Sequence, residues 1–67
     1  MKFITRDTTK YIGLNEMDAI NHAKQDGFFD CHILYRDGIM NPMSSSLNEC
    51  RVAFTLKNDF VVKAEQG

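Results

Sequence analysis

Residues 15–36 read Asn-Glu-Met-Asp-Ala-Ile-Asn-His-Ala-Lys-Gln-Asp-Gly-Phe-Phe-Asp-Cys-His-Ile-Leu-Tyr-Arg. Inside this stretch a helix stops and a strand starts, and that switch decides the fold. Asn15 is a good N-cap, and Asp18 three residues on answers it as a capping-box partner. Glu16 and Asp18 also put negative charge into the first turn, where the helix dipole favours it. Apolar residues recur at Leu14, Met17, Ala19, Ile20 and Ala23, close to the i, i+3, i+4 rhythm of a helix. Lys24 suits the last turn, and Gly27 suits the left-handed position that closes a helix. The spacing predicts a helix over 16–26. From Phe28 the period changes to two. Phe29, Cys31, Ile33 and Tyr35 fall on one face, and Phe28, Asp30, His32, Leu34 and Arg36 on the other, so 28–36 reads as a strand.

Working outward, Cys50, Val52, Phe54 and Leu56 alternate with Arg51, Ala53 and Thr55, which predicts a strand over 51–56. Lys57-Asn58-Asp59 is a turn, because Asn and Asp tolerate positive φ. A further strand over 60–64 then forms a hairpin with the one before it. Residues 2–5, from Lys2 to Thr5, are a short candidate strand. The order is β-α-β, a long loop, then β-β. That pattern suits an α+β fold, a single domain over 1–67 with one helix packed on a small mixed β-sheet.

The long loop covers residues 37–49 and holds the chain's only Pro, three consecutive Ser and two of its four Met. Irregular segments of this length are uncommon in compact domains and are often functional. A second reading stays open: Asp37-Gly38 closes a tight hairpin and residues 39–43 form another strand. Pro42 and the Ser run weigh against it.

Composition narrows the function. The chain has 67 residues, 43% hydrophobic and 25% charged, with a net charge of −1 and two Cys. A core this small leaves little interior for a deep catalytic pocket, so no enzyme is expected. The eight basic residues are interleaved with nine acidic ones, which argues against nucleic acid and against an anionic membrane surface. No apolar stretch approaches the ~18 residues of a membrane span. Lys2 and the polar run that follows residues 3–4 do not form a signal peptide, so a cytoplasmic location is expected, with Cys31 and Cys50 as buried thiols. His22, Cys31, His32 and Cys50 lack metal-ligand spacing, and neighbouring strand residues point to opposite faces, so neither metal nor cofactor is expected.

From Gly13 to Gly67 the chain resembles the potato type one family of serine-protease inhibitors. The resemblance rests on Gly13 before the helix, Ala19 on it, Gln25-Asp26 at its end, and Cys31-His32-Ile33-Leu34-Tyr35 as a central parallel strand. Gly38 before the loop, Arg51-Val52-Ala53-Phe54 after it and the terminal Gly67 complete it. Thr8 stands where the family carries a core aromatic, with Tyr11 three residues on as the candidate replacement. The resemblance implies a loop held extended for a subtilisin- or chymotrypsin-like protease. Met43 would enter the specificity pocket, Ser44 would follow the scissile bond, and Arg51 would brace the loop. Glu49 stands where the family carries a second bracing Arg.

The expected activity is therefore protein binding. One candidate surface is the loop, with Met40, Asn41, Pro42, Met43, Ser44, Ser45 and Leu47 as contact residues and Arg51 and Glu49 as its braces. The alternative is a small homodimeric host- or regulator-binding protein that acts through its sheet face and has no protease target. There Phe28 marks the contact patch, because two consecutive Phe on a strand cannot both face the helix.

Overall fold

A computed structural model describes residues 5–42 and 48–67. The elements are a 3-10 turn Thr9–Tyr11, helix α1 Glu16–Gln25, and strands β1 Asp30–Arg36, β2 Ile39–Met40, β3 Arg51–Lys57 and β4 Phe60–Gln66. The strands form one mixed sheet in the order β2-β1-β3-β4. The two central strands are parallel, and each edge strand is antiparallel to its neighbour. The α+β class and the single helix on a mixed sheet are as the sequence predicts. Of the candidate strand over 2–5, residues 2–4 lie outside the described residues and Thr5 is irregular.

The helix begins and ends for local reasons. The Asn15 side chain accepts from the Asp18 N–H at 2.9 Å, and its amide donates to the Asp18 carboxylate at 3.2 Å. At the other end Gly27 sits at φ 94°. The Gly27 N–H donates to Lys24 O and the Phe28 N–H to Ala23 O, the paired bonds of a Schellman motif. That motif turns the residue after the glycine back toward the helix. Phe28 is accordingly fully buried, and β1 starts only at Asp30. The expectation that Phe28 marks an exposed patch is corrected here. Its neighbour Phe29 is the exposed one, at 79%.

The core lies between α1 and one sheet face. Ala19 and Ala23 bring the helix close to Val52, Phe54, Leu56 and Val61. Tyr11 meets Phe28 and Phe54 edge-on, with ring centroids 6.2 and 5.7 Å away. Its hydroxyl donates to the Asp26 carboxylate, which also pairs with Lys10 at 2.8 Å. The candidate replacement aromatic is thus a core residue. Burial and the Asp26 carboxylate raise the Tyr11 phenol well above its ordinary value of 10.0. Lys10, then Tyr11, hold the Asp26 carboxyl below its ordinary value.

The sign of the pH dependence follows. The raised phenol contributes stability in full below about pH 10 and loses it as pH climbs further. The depressed carboxyl contributes above its ordinary value of 3.8 and loses it as pH falls toward the folded value. Tyr11→Phe is expected to lower stability by about 1 kcal/mol, a Tm fall of roughly 4–8 °C at this length. It is also expected to shrink the alkaline decline in Tm above about pH 10. Thermal melts followed by circular dichroism from pH 3 to 11 check both outcomes.

Two tight turns stand side by side at one end of the sheet. Asp37 and Gly38 join β1 to β2 at φ 51° and 84°, and Asn58 and Asp59 join β3 to β4 at 52° and 71°. Two central residues at positive φ are what a type I′ hairpin requires. The Asp37-Gly38 hairpin is thus formed, and part of the predicted long loop is corrected: Ile39 and Met40 are paired into the sheet. The alternative strand over 39–43 stops at Met40. Asp59 holds a position that Gly prefers, so Asp59→Gly is expected to raise stability by about 0.5 kcal/mol, read from urea denaturation.

Candidate functional site: the helix-free sheet face

Helix α1 covers one sheet face; among the described residues no helix covers the other, which carries the candidate site. Its side chains are set by two register breaks beside the same residue. Cys31, Ile33, Val52 and Phe54 all face the helix. Past Ile33 the pairing jumps, so that Tyr35 lies opposite Thr55 and Leu34 is the extra residue of a bulge. On the other side of β3, Thr55 pairs with Lys63 and Leu56 with Val61, leaving Val62 as the extra residue. A bulge re-aims the side chains after it. Tyr35, which plain alternation assigns to the face of Cys31 and Ile33, is therefore turned to the helix-free face. Arg36 is turned toward the helix, where it holds Glu16 through two 2.8 Å bonds. That bidentate pair keeps the Glu16 carboxyl below its ordinary value.

An open concavity of about 620 Å³ surrounds Thr55 on this face. Its lining includes Tyr35, Thr55 and Val62 and, at the turn end, Asp37, Lys57 and Asn58. The Asp37 N–H donates to Leu56 O at 3.0 Å, and its carboxylate accepts from the Asn58 N–H at 2.8 Å, which ties the two turns together. Met40 pairs with Tyr35 and extends the row to the sheet edge, where it is 53% exposed; Val62 is 49% exposed. Lys63 and Glu65 pair at 2.9 Å on β4.

The residues predicted for the loop divide. Met40 belongs to the sheet. Asn41 is tied to β1: its N–H donates to Leu34 O at 2.7 Å, its amide to Ile33 O at 3.2 Å, and its C=O accepts from His32 Nε2 at 2.9 Å. Pro42 is exposed beside it. Met43, Ser44, Ser45 and Leu47 lie outside the described residues. Past them, the Asn48 side chain accepts from the Cys50 N–H at 2.9 Å, and Glu49 O accepts from Gln66 Nε2 at 2.9 Å. Arg51 Nε donates to Asp30 Oδ2 at 2.9 Å, an ion pair with the start of β1.

Cys31 and Cys50 are half-buried free thiols. Cys31 donates to Phe28 O at 3.6 Å, and burial pushes its pKa up. Among the described residues no group of three or more His, Cys, Asp and Glu is placed to hold a metal ion, and no helix is long and apolar enough to cross a membrane. Comparison of the chain with family models, with curated proteins and with solved structures finds no match.

Proposed function

We propose that the chain is a non-enzymatic protein-interaction module that binds through the helix-free face of its sheet. The pair of bulges flanking Thr55 carries this reading, because together they place Tyr35 and Val62 on the open face instead of in the core. An apolar centre of Tyr35 and Val62, continued by Met40 to the sheet edge, with the charged groups Asp37, Lys57, Lys63 and Glu65 around it, matches the anatomy of a protein interface. Val62→Lys tests it. The residue is half exposed, so the fold tolerates the change. Proteins that the immobilised wild-type chain retains from a lysate of expressing cells are expected to be lost from this variant. They are expected to stay on Met17→Lys, which alters an exposed apolar residue of the helix. Equal retention by Val62→Lys and wild type contradicts the reading.

A second reading is favoured by the anchoring of Asn41 and Asn48. Asn41 is hydrogen-bonded to β1 and Asn48 to the Cys50 N–H, and the resemblance to serine-protease inhibitors implies a loop held for docking, since a loop that is already ordered loses little entropy when it binds. On this reading Met43 enters the pocket of a subtilisin- or chymotrypsin-like protease. Incubation with such proteases is then expected to lower their activity, and Met43→Ala to restore it. Digestion at the rate of an unfolded peptide rules it out.

A further inference from the structure

We infer that the partner of the helix-free face is a second copy of this chain, packed face to face about a two-fold axis parallel to the strands. The inference rests on the proposal that this face binds protein.

The geometry favours the face over the edges. The β4 edge is already covered. Val61 N–H and C=O are bonded to Leu14 O and Gly13 N–H, and Thr8 Oγ1 donates to Ala64 O at 2.8 Å. At the other edge β2 offers only two residues before Pro42, which has no N–H to donate. The face is different. It holds Tyr35 and Val62 around an open concavity, with Met40 beyond them at the sheet edge, and the molecule is only 16 Å across its shortest axis. A second copy set on that face gives two helix layers outside two sheets about 10 Å apart, the spacing of aligned sheet packing.

Charge selects a copy over a polyanion. Asp37 and Glu65 balance Lys57 and Lys63 on the face, and the whole chain carries −1, so two copies repel little. A nucleic acid or an anionic lipid surface needs a basic excess instead. At the turn end the pattern is also self-complementary. An axis running between β1 and β3 exchanges these two parallel strands and exchanges β2 with β4. Asp37 and Lys57 stand at the same level, as the 3.0 Å bond from the Asp37 N–H to Leu56 O requires. The rotation therefore sets Asp37 against the partner's Lys57, and Lys57 against the partner's Asp37. Tyr35, which pairs with Thr55 within the sheet, meets the partner's Thr55 beside the concavity. Three seven-residue strands and the two residues of β2 offer a footprint of roughly 350 Å² per copy, small for a specific interface, so the association is weak.

Sedimentation equilibrium from about 5 to 500 µM tests it, with far-UV circular dichroism confirming that each variant is folded. Wild type is expected to move from monomer to dimer with Kd in the range of tens to hundreds of µM. Met17→Lys is expected to behave the same way. Val62→Lys is expected to stay monomeric, and Lys57→Glu to weaken the dimer about tenfold by setting two acids against each other. Wild type that is monomeric throughout overturns the inference, and so does a dimer indifferent to Val62→Lys. A monomer that still retains another protein in a Val62-dependent way overturns only the second copy as partner. A monomer with no Val62-dependent retention overturns the proposed function as well.

Discussion

Phe54→Ala is expected to leave the chain without a cooperative thermal transition at 25 °C. Phe54 is fully buried at the middle of β3, between Ile33 on β1 and Ala64 on β4, with its ring edge-on to Tyr11. Truncating a core Phe to Ala costs about 3–5 kcal/mol, from lost burial and from the cavity left behind. A single core in a domain this small rarely supplies more than about 3–5 kcal/mol in total. One side chain therefore accounts for nearly the whole margin. Urea denaturation at 10 °C and 25 °C reads the effect directly. A Phe54→Ala chain that melts cooperatively within a few degrees of wild type means that Phe54 is not where the fold places it.

Phe28→Ala and Phe29→Ala are expected to diverge sharply although they are adjacent. Phe28 is fully buried against Tyr11, and the Arg6 guanidinium lies 4.8 Å from its ring centroid while donating to Asp26 O at 2.9 Å. Its removal is expected to cost about 3–5 kcal/mol. Phe29 is 79% exposed, and its removal is expected to change stability by less than about 0.5 kcal/mol. Equal effects on the denaturation midpoint refute the Schellman geometry that separates the two residues.

This pair shows where the sequence is legible and where it stops being so. The cap at Asn15, the stop at Gly27 and the alternation around Val52 and Phe54 are local signals, and each has its predicted counterpart in the fold. The direction of Phe28 was also encoded locally. A helix closed by Gly27 sends the next apolar residue back onto itself, and reading Phe28 as the first strand residue overlooks that geometry. The Asp37-Gly38 turn was visible as an alternative, but the choice between loop and hairpin depends on whether β1 has a free edge to pair with, which is a tertiary question. The bulges were not legible at all on β1. Cys31, Ile33 and Tyr35 alternate without a flaw, and only pairing with β3 reveals that the register shifts after Ile33. On β4 the consecutive apolar residues Val61 and Val62 gave a faint signal, since one of two neighbours in a strand must leave the core. The candidate site depends on these shifts, so it was the least legible part of the chain.

The proposed interface requires Tyr35 and Val62 to stand on the helix-free face beside Thr55. A nuclear Overhauser spectrum of the folded chain tests this most directly. Cross-peaks are expected from the Tyr35 ring and from the Val62 methyls to the Thr55 methyl, with none from the Tyr35 ring to the methyls of Ala19 or Ala23. Cross-peaks from Tyr35 to those helix alanines mean that the strand keeps its plain alternation and that Tyr35 is not on the helix-free face.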